Sequence, residues 1–230
     1  MRLLQANLDH SRGAQDLFCQ ALREWGVALA VAAEPYSIPS HPLWFGDRGG
    51  SVAIVGSSAP GALPVALLER GQGYLAVEWG EFAVVGCYAP PSRNTADFGE
   101  YLGGVGRCIR RRAPRPVLVL GDFNAHAIAW ASPRTDARGR VLLDWAAELE
   151  LRLLNRGLVC YVRAADGFVH CGHHVGVVCG RAACDGVEGC GGDGDAERSS
   201  VSALRLLKHA AEKSTPHRPT WWHPAAAVGV

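Results

Sequence analysis

The chain has 230 residues, 23 Lys+Arg against 22 Asp+Glu, and 48% hydrophobic residues. That apolar share excludes a disordered chain, and a net charge of +1 excludes a broad basic nucleic-acid surface, so any DNA contact must be local. No apolar run reaches the roughly 18 residues of a membrane span, and Met1-Arg2-Leu3-Leu4 leads straight to Gln5 and Asp9 without a signal-peptide core. The expectation is an intracellular chain with one sizeable core, or at most two small ones, whose eight cysteines are thiols or ligands rather than disulfides.

In chain order, residues 3–8 read as a short buried strand. Ser11 is placed to cap a helix whose apolar residues Ala14, Leu17, Phe18, Ala21, Leu22 and Trp25 recur at helical spacing, with Gly26 as its stop. Residues 27–33 form a continuous apolar run, and three prolines make 35–45 a loop. Residues 51–55, 74–79 and 82–88 read as further strands punctuated by Gly and Pro. Thr95 is the expected cap of a second helix, with Phe98, Leu102, Val105 and Ile109 on one face. A buried strand at 116–120 and an amphipathic helix at 141–149 follow. Strands alternating with amphipathic helices predict a layered α/β domain whose site lies at a sheet edge.

Several strand-shaped runs end in the same kinds of residue. The first ends in Gln5-Ala6-Asn7-Leu8-Asp9, the second in Ala33-Glu34-Pro35, a later one in Cys87-Tyr88-Ala89-Pro90-Pro91, and the fourth in Gly121-Asp122-Phe123-Asn124-Ala125-His126. Carboxylates and amides at adjacent strand ends converge, and hard oxygen donors of that kind suit Mg²⁺. Taken singly, Asn7 and Tyr88 read equally well as turn and core hydrogen bonding, and His126 reads as a solvated loop residue.

The ordered set Q-A-N-L, A-E-P-Y, Y-A-P-P and G-D-F-N-A-H resembles the endonuclease/exonuclease/phosphatase superfamily. Within it, the set is most similar to the apurinic-type endonuclease domain of arthropod non-LTR retrotransposons. The resemblance covers about 1–156 and implies a four-layer αββα sandwich. It also implies roles: Glu34 as principal Mg²⁺ (or Mn²⁺) ligand with Asn7 and Asp9 nearby, Asp122 activating the attacking water, Asn124 and Tyr88 donating hydrogen bonds to the phosphate, and Asn7 assisting. The implied substrate is double-stranded DNA, nicked to leave a 3′ hydroxyl for target-primed reverse transcription, which requires access to the nucleus. Arg107, Arg110, Arg111, Arg112 and Arg115 form a basic cluster at the end of the second helix. They read as a solvated C-terminus complementing the helix dipole or, through Arg110, Arg111 and Arg112, as local phosphate contacts.

After residue 156 the composition changes. Residues 157–194 hold 10 Gly and five Cys, and both lysines of the chain, Lys208 and Lys213, also fall in this half. Two motifs implied by the resemblance, a strand with S-x-x-D-[ILV]-T and a near-terminal S-D-H, appear nowhere in it. A reading-frame shift accounts for this. If each new codon takes the last two bases of one codon and the first of the next, codons 168–174 permit S-x-I-V-D-I-T and codons 195–199 permit T-L-S-D-H. An Arg:Lys ratio of 21:2 indicates a GC-rich gene, in which a shifted tail stays open because stop codons are rare. The expected organisation is therefore an incomplete core at 1–156 and a largely out-of-frame tail at 157–230, with nuclease activity lost. A zinc site built from Cys171, Cys179, Cys184, Cys190, His170, His173 and His174 is the competing reading of the tail. Its Cys spacings of 8, 5 and 6 do not fit paired knuckles. Two alternative functions remain: a phosphoesterase of the same superfamily acting on small phosphates or lipids, and a non-catalytic nucleic-acid- or zinc-binding remnant.

Overall fold

A computed structural model describes residues 2–130 and 132–153, together with the strand segments 160–164, 167–171 and 178–180. The first strand, β1 (Leu3–Asn7), leads to helix α1 (Arg12–Glu24). Ser11 Oγ accepts the Ala14 amide at 3.2 Å, and Gly26 ends the helix at a φ of 57°, a left-handed conformation that glycine adopts without strain. The chain continues through β2 (Leu29–Ala33), β3 (Trp44–Gly46), β4 (Val52–Gly56), β5 (Val65–Arg70), β6 (Tyr74–Trp79) and β7 (Phe82–Tyr88). Helix α2 (Thr95–Arg110), β8 (Val117–Asp122), a 3₁₀ turn at Ile128–Trp130, α3 (Ala137–Glu148) and β9 (Leu151–Leu153) follow. The last described strands are β10 (Cys160–Ala164), β11 (Gly167–Cys171) and β12 (Val178–Gly180).

Local chemistry corrects several boundaries. Asn94, not Thr95, caps α2: its side chain accepts the Asp97 amide at 2.9 Å, and Thr95 is the first helical residue. Helix α3 starts four residues before the expected 141, because Asp136 Oδ1 accepts the Gly139 amide at 2.7 Å. The loop expected over 35–45 ends in the short strand β3. β5, not anticipated from the sequence, is an edge strand whose apolar run Val65-Ala66-Leu67-Leu68 stays partly exposed.

Among the described residues these form two six-stranded sheets, ordered β10-β11-β1-β2-β4-β3 and β5-β6-β7-β8-β12-β9. β1 and β2 are parallel in the first sheet, and β7 and β8 are parallel in the second, joined by α2. Between the sheets pack Leu29, Val31, Val52 and Ile54 from one side and Leu75, Val77, Trp79, Val84, Leu118 and Leu120 from the other. The outer face of the first sheet (Leu4, Ala6, Ala30, Ala32) is covered by Ala14, Phe18 and Ala21 of α1. That of the second (Ala83, Val85, Val119) is covered by Phe98, Leu102, Val105 and Ile109 of α2 and by Leu142 and Trp145 of α3. Both faces of each central strand are thus buried, which is why 29–33 and 117–120 are apolar throughout rather than alternating. The architecture is the αββα sandwich expected. Both sheets also take strands from beyond residue 156: β11 pairs with β1, and β12 inserts between β8 and β9.

Candidate functional site

The C-terminal ends of β1, β2, β7 and β8 meet at one edge of the sandwich. Below that edge Gln5 reaches from the first sheet to the second, its Nε2 donating to the Gly121 carbonyl at 3.0 Å and its Oε1 accepting the Gly121 amide at 2.8 Å. Gly121 must be glycine, since a Cβ there would overlap the Cys87 carbonyl of β7. One residue further along, Asn7 Nδ2 donates to Asp122 Oδ2 at 2.8 Å. The Tyr88 hydroxyl donates to Glu34 Oε1, again from one sheet to the other. Asp122 Oδ1 accepts the Asn124 amide at 2.9 Å, while Asn124 Nδ2 donates to the Ala89 carbonyl at 3.2 Å. The Asp9 amide donates to Asn7 Oδ1 at 2.9 Å, and the Asp9 side chain is exposed. Asn7, Glu34, Tyr88, Asp122 and Asn124, read separately from four stretches of sequence, therefore form one cluster.

The backbone bends sharply at this edge. Asp9, His10, Glu34 and Asn124 all have φ between 47° and 52°, a left-handed conformation unusual for residues with a Cβ. It turns each side chain out of the strand direction onto the rim. Burial raises the Asp122 carboxyl above the usual carboxylate range, although bonds from Asn7 and the Asn124 amide pull it back. Burial, the bond to Glu34 and the surrounding carboxylates raise the Tyr88 phenol, so it remains a neutral donor. His10, not singled out in the sequence, stands with Nε2 3.6 Å from Glu34 Oε1 and Nδ1 3.3 Å from the Pro35 carbonyl.

Two further side chains escaped the sequence reading. Arg138 lies with its guanidinium 4.2 Å from the Phe98 ring centre. It donates to the carbonyls of Pro90, Pro91 and Arg93 through one terminal nitrogen, and to those of Ala89 and Phe123 through the other. It thereby ties the loop after Tyr88 to the loop after Asp122. Gly139 beside it is packed so that a Cβ would overlap the His126 carbonyl. Asp47, only 8% exposed, accepts amides from Gly49, Ser51, Val52 and Gly73 and the Ser51 hydroxyl.

The arginine cluster is elsewhere. Because α2 crosses back from the end of β7 to the start of β8, its arginine-rich end lies at the far end of that crossover from the rim. There Arg111 and Arg112 each approach Glu69 to 2.6 Å, and Arg115 approaches Glu78 to 2.8 Å. Arg110 is exposed at the same end. The geometry does not bring Arg110, Arg111 or Arg112 to the cluster at Asp122.

Among the described residues no group of three His, Cys, Asp or Glu side chains forms a ready cage for a metal ion. What the rim offers a cation is mainly oxygen, from the carboxylates of Glu34 and Asp122 and the Asn7 amide, with the His10 imidazole beside Glu34. That set fits a hard cation held by one or two carboxylates, waters and a substrate phosphate, as Mg²⁺ commonly is. The side chains of the proposed zinc ligands from 170 to 190 lie outside the described residues, as do the codons of the S-D-H reading. No helix among the described residues is long and apolar enough to cross a membrane.

Residues 82–164 match a protein family described as endonuclease-reverse transcriptase, and that match runs past residue 156 into β10. No curated protein matches the chain. Among solved structures, the endonuclease domain of TRAS1, a telomere-specific non-LTR retrotransposon, superposes with a TM-score of 0.66 and 23% identity over 80% of this chain and 87% of that one. The 3′ phosphatase NExo from Neisseria, bound to a product DNA hairpin, gives 0.55 and 14% over 79% and 87%. A 3′-5′ exonuclease (NExo) from Neisseria meningitidis gives 0.54 and 15% over 79% and 88%. An 80% share is more than residues 1–156 can supply, so the likeness includes strands from the final third.

Proposed function

Since the chain has the fold of the endonuclease/exonuclease/phosphatase superfamily and, over 82–164, the sequence of an endonuclease-reverse transcriptase family, we propose that it descends from a retrotransposon endonuclease. Its ancestor hydrolysed a DNA phosphodiester with the help of a divalent cation, and the chain as written nicks DNA negligibly. The observation that carries this reading is the pair of bonds between sheets, Asn7 to Asp122 and Tyr88 to Glu34, which collects acid, amide and phenol on one rim.

Glu34, with Asn7 and Asp9 beside it, holds the cation. Mg²⁺ or Mn²⁺ supplies the positive charge that offsets charge building on the phosphate. Asp122 orients the attacking water and takes its proton, a task helped by burial that raises its carboxyl above the usual carboxylate range. The neutral Tyr88 phenol and the Asn124 amide donate to the phosphate oxygens. Double-stranded DNA is the substrate this reading assigns, and a DNA hairpin bound to the Neisseria phosphatase on the same fold supports a nucleic-acid substrate.

Loss of activity follows from the missing Asp and Ser-Asp-His motifs. Plasmid nicking tests the reading. Purified chain with Mg²⁺ is expected to leave supercoiled DNA intact. A gene with the alternative frame restored after codon 164, where the family match ends, is expected to give a Mg²⁺-dependent nickase that Asp122→Ala abolishes. Nicking by the present chain that depends on Asp122 overturns the inactivity; a soluble, frame-restored protein without nicking overturns the ancestry of the site. Third bases that cannot spell Asp and His at codons 172, 198 and 199 overturn the frameshift.

A further inference from the structure

Asp47 carries a buried carboxylate that no step of the proposed chemistry uses. Four of its five bonds lie within its own turn: Ser51 N to Oδ1 at 2.7 Å, Val52 N to Oδ1 at 3.2 Å, Gly49 N to Oδ2 at 3.2 Å and Ser51 Oγ to Oδ2 at 3.1 Å. The fifth comes from the other sheet: the amide of Gly73, between β5 and β6, donates to Oδ2 at 2.8 Å. Oδ1 thus holds its own turn alone, while Oδ2 joins that turn to backbone of the other layer of the sandwich.

Each held segment anchors one partner of the rim. The Ser51 carbonyl accepts the Glu34 amide at 2.8 Å, fixing the residue whose φ of 47° turns its carboxylate outward. The Gly73 carbonyl accepts the Tyr88 amide at 2.8 Å and the Tyr101 hydroxyl at 2.9 Å. Gly73 has a φ of 80° and lies so close to the Tyr88 carbonyl that a Cβ would collide with it. Two short paths therefore leave Asp47, one ending at Glu34 and one at Tyr88, and they close where the Tyr88 hydroxyl meets Glu34 Oε1.

We propose that Asp47 is a positioning residue that sets the Glu34–Tyr88 contact from behind, and through it the affinity of Glu34 for a divalent cation. This rests on the reading of Glu34 as the cation ligand. Only a carboxylate can do it from this position. An Asn has one oxygen, so it can accept from Ser51 and Val52 or from Gly73, and on the other side its amide hydrogens face an N–H donor. A residue that merely stabilised the turn would show its loss in global stability alone.

The test uses the full chain, with Mn²⁺ as probe, read by water-proton relaxation, and with native-state hydrogen exchange of the Glu34 and Tyr88 amides. Asp47→Asn is compared with Glu34→Gln, with the double variant, and with Leu102→Ala as a buried control on α2 under the opposite face. The expected result is Mn²⁺ affinity about tenfold lower in Asp47→Asn, one coupling free energy of ordinary size. The double variant is no weaker than Glu34→Gln alone, exchange at Glu34 or Tyr88 is at least about tenfold faster, and Leu102→Ala leaves Mn²⁺ affinity within about twofold. If Asp47→Asn keeps parental affinity while Glu34→Gln loses it, the proposal is overturned. If Glu34→Gln keeps its affinity, the cation reading is overturned instead, and exchange at the two amides decides the structural half: faster exchange supports Asp47 as the tie, unchanged exchange removes it.

Discussion

Replacing Arg138 by Met separates what its guanidinium does from what its stem does, because Met keeps the apolar length while removing every donor. Of the five carbonyls it serves, those of Pro90, Pro91 and Arg93 lie on a loop that reaches solvent and can bind water instead. The Ala89 carbonyl retains the Asn124 amide at 3.2 Å. The Phe123 carbonyl belongs to a fully buried residue and loses a charged donor at 2.7 Å. A charge-assisted bond to a buried carbonyl contributes about 1.5–3 kcal/mol, and the guanidinium 4.2 Å from the Phe98 ring centre adds about 0.5–2 kcal/mol. Arg138→Met is therefore expected to cost ~2–5 kcal/mol, read as a lower urea midpoint at unchanged slope. Arg138→Lys, with one compact ammonium in place of a fork, should recover only part of it. A Met variant within about 0.5 kcal/mol of the parent, the range of an ordinary surface change, would refute the tie between the two loops.

Two other outcomes follow from the rim. Folding raises the Asp122 carboxyl above its ordinary value of 3.8, so between that value and the raised one the folded chain binds more protons than the unfolded chain. Metal-free stability should fall as pH rises through that window, and Asp122→Asn should flatten the fall in urea midpoints taken across it; an equally steep profile in the variant contradicts the assignment. Gly121→Ala drives a Cβ into the Cys87 backbone, which cannot move as a side chain can, so a loss of about 3 kcal/mol or more is expected in thermal unfolding. A melting temperature equal to the parent's would show that β7 and β8 separate more easily than their packing implies.

The rim residues were legible because each follows an apolar strand directly: Asn7, Glu34, Tyr88, Asp122 and Asn124 are marked by where a hydrophobic run stops. Asp47 was not, since Asp47-Arg48-Gly49-Gly50-Ser51 reads as any turn and its decisive donor lies 26 residues away. Arg138 was invisible for another reason. Its partners are main-chain carbonyls, which every residue carries, so no pattern of side chains announces them. The arginines at the end of α2 left two readings open because a cluster of charge in sequence says nothing about which end of a strand it lands on. That depends on the crossover between parallel β7 and β8. The layers themselves followed from periodicity, while β5 went unassigned: its apolar Val65–Leu68 run directly follows Pro64 and is only partly buried at the sheet edge.

The bonds that join the sheets at the rim also set an order of assembly. Gln5 waits for Gly121 across 116 residues, and Asn7 waits for Asp122 across 115. During synthesis α1, β2 and β4 can gather on β1 as soon as they emerge, but the polar ends of β1 have no counterpart until β8 has left the ribosome. Such long loops close slowly. The rim is therefore the last part of the N-terminal 122 residues to form, and a nascent chain arrested before β8 would hold a half-built layer with its amide side chains facing water.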